Sequence, residues 1–161
     1  MKLHIMSNFL CKTLNNRLNK EELIYSYDES NNSVNIFHKD NIYTMCVTDY
    51  PFKPPKNLKV NNQSINYIIP TRKYGIFLNN FYNIKCLCCE SILCSNNWNL
   101  TFKFAQIIDE YNDINELILF AEIYYKLNES NFFIKIPDEI KSYIFKFLGN
   151  NLSKKISKIK C

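Results

Sequence analysis

Seven residues, Tyr50-Pro51-Phe52-Lys53-Pro54-Pro55-Lys56, constrain this chain more than any other stretch, because they hold three of its five prolines. Each proline fixes φ, removes a backbone donor and pushes the residue before it out of the helical region. The segment is therefore expected to be a rigid, extended corner and cannot be helix.

Before the corner, two periods alternate. Ser7 is positioned to cap a first helix, with Met6, Leu10, Leu14 and Leu18 on one face. Extended segments follow at Leu23 to Tyr27, Val34 to His38 and Ile42 to Val47, joined by Ser30-Asn31-Asn32-Ser33 and Lys39-Asp40-Asn41. Short polar turns between such runs predict an antiparallel meander. Asn57 to Val60 supplies its fourth strand, and after the turn Asn61 to Ser64 the stretch Ile65 to Ile69 alternates like a further short one. Pro70 to Lys85 shows no regular pattern.

After Trp98 the period becomes helical. Phe104, Ile108 and Tyr111 share a face, Asn112-Asp113 interrupts, and Asp113-x-x-Glu116 reads as a capping box for a second helix through Ile114, Leu117, Ile118, Ala121 and Tyr125. A last helix is expected to start at Pro137, with Asp138 and Glu139 in its first turn and Gly149 at its end. The expected fold is α+β: an N-terminal helix, a four-stranded antiparallel meander and C-terminal helices. One domain over 1–150 is expected, with a basic tail over 151–161.

Composition excludes several classes of chemistry. Two glycines leave no room for a P-loop or a dinucleotide fingerprint. The net charge of +5 gathers at Lys154, Lys155, Lys158 and Lys160, which read as a solvated terminus. No aromatic side chains interleave there for base stacking, so no nucleic-acid partner is expected. No apolar run is long enough to span a bilayer, and the first residues lack a signal core, so no membrane partner is expected either. Seven cysteines, an odd number, then read as thiols in a reducing compartment, cytoplasm or nucleus.

Two sequence anchors together resemble the ubiquitin-conjugating (UBC-like) family. The first is Tyr50-Pro51-Phe52-Lys53-Pro54-Pro55-Lys56, and the second is Cys89-Glu90-Ser91-Ile92-Leu93 followed by Trp98-Asn99-Leu100-Thr101-Phe102 and a helix. The order helix, meander, corner, cysteine loop, helix is also that family's. The resemblance implies a cysteine that accepts ubiquitin or a ubiquitin-like modifier as a thioester from a ubiquitin-activating enzyme. The modifier is then passed to a lysine amine, with a ubiquitin ligase holding the pair. It implies no metal and no organic cofactor. Such chemistry needs an accessible thiol of suitable acidity and a donor for the oxyanion formed when the amine attacks.

By the same resemblance the nucleophile lies in Cys86-Leu87-Cys88-Cys89. Cys89 fits the Cys-x-x-Ile-Leu step without insertion. Cys88 places Asn80 eight residues upstream, the family spacing, whereas from Cys89 the gap is nine. Cys89 is preferred, then Cys88, then Cys86. The family's His-Pro-Asn triplet is missing, and Leu78-Asn79-Asn80 is the nearest equivalent, making Asn80 the candidate oxyanion donor. Phe52, Trp98, Asn99 and Leu100 would form the ligase-facing surface, although Leu100 stands where the family usually has proline, and Phe52 could equally pack in a core. Residues 61–76 are longer than the family needs.

The same residues admit other readings. The cluster could be buried packing thiols. Cys86-x-x-Cys89 with Cys94 could hold zinc, but no fourth ligand follows, and His4 and His38 are distant in sequence. A thioredoxin-like motif would need a βαβ setting that the meander does not supply. A UBC-like subunit lacking the cysteine chemistry would act as a modifier-binding scaffold. Finally, Ile136 to Leu148 resembles the first helix of an F-box, although a plain terminal helix explains the same spacing.

Overall fold

The computed structural model of this chain describes residues 2–129 and 135–145, with side chains from residue 9 onward. They divide into two compact units. The first comprises residues up to Ile65 together with Ile92–Ile108; the second comprises Asn66–Ser91 and the residues from Asp109 onward. The sequence reads as one domain over 1–150, and the end of that span and the tail 151–161 lie outside the described residues, as does Gly149.

The first unit opens with helix α1, Lys2–Lys20. Leu10, Leu14 and Leu18, four residues apart, are buried on its inner face. Met6 has no described side chain. Ser7 lies inside the helix, not at its cap: one serine costs a helix interior little, and the helix extends past it to Lys2. At the other end Glu22 takes φ 54°, the Leu23 amide reaches the Leu18 carbonyl and the Glu22 amide reaches that of Asn19. These bonds satisfy the terminal carbonyls in a Schellman motif.

Five antiparallel strands follow in sequential order: β1 Ile24–Asp28, β2 Ser33–His38, β3 Asn41–Cys46, β4 Lys56–Val60 and β5 Gln63–Ser64. The turn chemistry sets the register. Asp28 accepts bonds from the Ser30 amide and hydroxyl and from the Asn31 side chain, closing the first hairpin. Asn61 and Asn62, both at positive φ, form a two-residue turn of the type that matches strand twist. Alternation does the rest: Val34 pairs with Met45 and Ile36 with Tyr43, and all four are buried on one face. Tyr25 on β1 donates to Asn15 on α1 at 2.7 Å, tying the helix to the edge strand.

Two expectations fail at this point. The sheet has five strands, not four, and residues 65–69 are not the extra strand. The pairing partner of β4 is the two-residue β5, because the Asn61-Asn62 turn returns the chain at once.

The second unit is built on α2, Ile68–Tyr82, where the sequence reads as irregular. Pro70 sits in the first turn, whose amides lack helical partners in any case, so it does not break the helix. Tyr74, Phe77 and Leu78 are buried on one side. The helix kinks at Tyr74 (φ −118°, ψ 16°), next to Gly75. It ends with Asn83 in the left-handed region. A single helical turn, α3, covers Leu87–Glu90.

Helix α4 runs unbroken over Phe104–Asn128, with its first residues in the first unit and the remainder in the second. The expected break at Asn112-Asp113 is absent. Ile114, Leu117 and Ala121 continue a buried stripe through it, and burial of that stripe outweighs the weak propensity of two residues. The described part of a fifth helix, α5, covers 138–145. As expected it starts from Pro137, whose carbonyl accepts the amides of Ile140 and Lys141. Phe145 is buried with Phe77, Leu78 and Leu117 in the core of this unit.

Candidate functional sites

In the first unit the proline corner meets the Trp98 loop. Tyr50, buried at the start of the proline corner, is gripped on three sides. Arg17 of α1 donates to its hydroxyl at 2.9 Å, Phe104 lies against its ring at 5.1 Å, and Trp98 meets it at 6.1 Å between centroids. The Trp98 indole N–H donates to the Pro51 carbonyl at 2.9 Å. Arg17 also donates to the Phe102 carbonyl at 3.1 Å and to the Leu100 carbonyl. One guanidinium thus fixes both the corner and the loop after Trp98, using the several donors of its planar fork.

The loop itself is shaped locally. Asn99 Oδ1 accepts the amide and the hydroxyl of Thr101, an Asx turn. Gln106 reaches back to the Lys103 amide at 2.8 Å, and Glu21 accepts the Ala105 amide at 2.9 Å, which together cap the start of α4. These anchors leave two apolar side chains in solvent: Phe52 is 72% exposed and Leu100 is 47% exposed. Phe52 is therefore not core. On the other flank Lys53 and Lys56 each approach Asp49 at 3.4 Å and hold its carboxyl below the usual range.

The cysteine turn belongs to the second unit. Buried Leu87 anchors it, and the Leu87 amide donates to Thr71 Oγ1 at 3.1 Å. Thr71 in turn donates to the Tyr67 carbonyl at 2.6 Å. At the far side, buried Ser91 donates to Glu110 Oε1 at 2.6 Å. The turn is thus held at both ends by hydroxyls, from Thr71 and Ser91, neither of which the sequence singles out.

Cys86 precedes this turn in extended conformation, and the Glu90 amide folds back onto its carbonyl. That closure brings Cys86 Sγ to 2.7 Å from Cys88 Sγ, with Cys89 Sγ 3.9 Å from Cys88. Cys89 is the exposed member. The thiols are not equivalent in acidity. The bond from Cys88 pulls Cys86 down to about 7, and the backbone amides of Cys89 and Cys88 act in the same direction. The same contact with Cys86, followed by burial, pushes Cys88 up to about 12. Of this pair the more acidic thiol is Cys86, the one the sequence ranks third, because acidity depends on hydrogen bonding at the sulfur, and spacing does not encode that.

Asn80 lies at an exposed position in the last turn of α2, on a helix where the sequence shows no regular pattern. His38 is a strand residue of β2. The six described cysteines are not in disulfides. Among the described residues no helix is long and apolar enough to cross a membrane. The chain gives no significant match to protein-family models, to curated proteins or to solved structures.

Proposed function

We propose that this chain is a UBC-like protein that accepts ubiquitin or a ubiquitin-like modifier as a cysteine thioester and transfers it to lysine. The observation that carries the reading is the 2.9 Å bond from Trp98 to the Pro51 carbonyl. It joins the proline corner to the Trp98 stretch, 47 residues apart, and Phe52 and Leu100, the residues proposed to face a ligase, are exposed beside it. The α+β order of helix, antiparallel meander and C-terminal helices supports the same reading. Cys89, the exposed thiol of its cluster, is the proposed nucleophile. An activating enzyme supplies the modifier, whose C-terminal acyl group moves from that enzyme's cysteine sulfur to Cys89 Sγ. The amine of a lysine then attacks the thioester, and Cys89 leaves as thiolate.

One observation favours a second reading. The family's His-Pro-Asn triplet is missing, and Asn80, its nearest equivalent, is built into helix α2. A modifier-binding scaffold that keeps the ligase-facing surface but not the chemistry would tolerate this change.

A charging assay separates the two. The chain is incubated with ubiquitin, an activating enzyme and ATP, then run on gels with and without reductant, alongside Cys86→Ala, Cys88→Ala and Cys89→Ala. A reductant-sensitive adduct lost only in Cys89→Ala is expected. No adduct with any of several modifier and activating-enzyme pairs would remove the enzymatic reading and leave the scaffold.

A further inference from the structure

The thioester reading uses one thiol of the cysteine turn, yet the fold brings three together. The Sγ atoms of Cys86, Cys88 and Cys89 all lie within 4.8 Å of one another. Sulfurs bound to one metal ion at about 2.3 Å in tetrahedral geometry stand about 3.8 Å apart. The neighbouring separations of 2.7 and 3.9 Å fall on either side of that value. Cys86 and Cys88 are half-exposed, which leaves their side chains room to adjust by rotation about Cα–Cβ.

The donor set is all sulfur. Among the described residues no imidazole or carboxylate joins the group. Three thiolates select soft cations, monovalent copper and zinc, over the hard oxygen-seeking ones. Copper in this state is satisfied by so few ligands, and zinc commonly takes three protein ligands with an open fourth position. The missing fourth ligand, which counts against a closed structural zinc site, does not count against either of these. The scaffold is also suitable. Leu87, between Cys86 and Cys88, and Ser91, after Cys89, are buried and hydrogen-bonded, while exposed Cys89 gives an incoming ion access.

We propose that Cys86, Cys88 and Cys89 form a three-thiolate site for one soft, thiophilic d10 cation, monovalent copper or divalent zinc. Each thiol gives up its proton as its sulfur binds the ion, so loading releases protons to solvent. This inference stands apart from the proposed conjugation chemistry. One consequence does rest on that chemistry: a Cys89 sulfur bound to metal cannot attack an acyl donor, so a loaded chain would not charge.

The test uses the reduced, chelator-stripped full chain. It is titrated with monovalent copper against a competing copper chelator, and separately with zinc against a chromophoric chelator. Bound metal is counted after desalting. One ion per chain is expected, with at least a tenfold weaker competition in each of Cys86→Ser, Cys88→Ser and Cys89→Ser and none in the triple variant, whose circular dichroism should match the parent. Undiminished loading of the triple variant, or no loading of the reduced parent by either ion, would overturn the proposal. Because this readout needs no activating enzyme, a chain that binds metal but never charges refutes only the conjugation reading. A chain that charges but binds no metal refutes only the site.

Discussion

The two units hold their candidate sites by different means. In the first, a directional polar clamp does the work: Arg17 binds the Tyr50 hydroxyl and two loop carbonyls, and Trp98 binds a third carbonyl. In the second, the hydroxyls of Thr71 and Ser91 hold the cysteine turn, and buried Leu87 seats it on a core built of rings. Phe77 stands 4.9–5.7 Å from Phe81, Tyr82, Tyr124 and Phe145, in tilted and edge-on arrangements. A clamp fixes a loop sharply, and removing one donor affects few atoms. An aromatic core tolerates small shifts, but it loses much when one ring goes.

The largest effect should therefore come from the second unit. Phe77 is fully buried, and Phe77→Ala is expected to cost about 3–5 kcal/mol, measured by urea unfolding. A cost under about 1 kcal/mol would mean the rings repack and the contrast between the units is false. Arg17→Ala comes next, at about 2–3 kcal/mol, since hydrogen bonds from a charged donor are lost and carbonyls are left without partners. Its sharper signature is local: faster amide exchange over 98–102 with little change near Cys86. Arg17→Lys should not restore protection, because an ammonium cannot reproduce the fork.

How much of this was legible in the sequence follows the same division. The meander could be read because its turns carry their own chemistry in Asp28, Ser30, Asn61 and Asn62, and because alternation has a short period. Helix α2 was present in the spacing of Tyr74, Phe77, Leu78 and Phe81, but Pro70 and Gly75 obscure it. Pro70 falls in the one turn where proline is harmless, and a side chain at Gly75 would meet open space, so neither marks a break. The false break at Asn112-Asp113 is the converse error, local propensity trusted where burial decides. Phe52, Trp98, Asn99, Leu100 and the cysteines could be picked out as residue types in a pattern. Arg17, Thr71 and Ser91 could not, because each acts on a partner 16 to 85 residues away.

A smaller change tests whether the cysteine turn depends on hydroxyls as the loop of the first unit depends on Arg17. Thr71→Val keeps shape but removes the acceptor for the Leu87 amide. It should cost about 1–2 kcal/mol, the penalty for a part-buried amide without a partner. Alkylation of Cys89 should change while amide exchange over 98–102 does not. Equal effects in both places would contradict the separation of the two supports.

The smallest effect concerns protons rather than stability. In reduced, chelator-treated protein, Cys86 should alkylate with a rate that rises with pH through a midpoint at about 7, since the thiolate is the nucleophile and the bond from Cys88 favours it. The direction follows from that contact: Cys88→Ala removes the largest cause, so the midpoint must move up toward that of an ordinary thiol. Because the lowered group gains from its partner in the charged form, any linked stability is present at high pH and fades as pH falls through about 7. For a half-exposed thiol, that contribution should be lost in solvent screening, and unfolding midpoints at pH 6 and pH 8 should agree within error. A midpoint unmoved by Cys88→Ala would show that the sulfur–sulfur bond does not set the acidity of the turn, leaving the backbone amides of Cys89 and Cys88 to account for it.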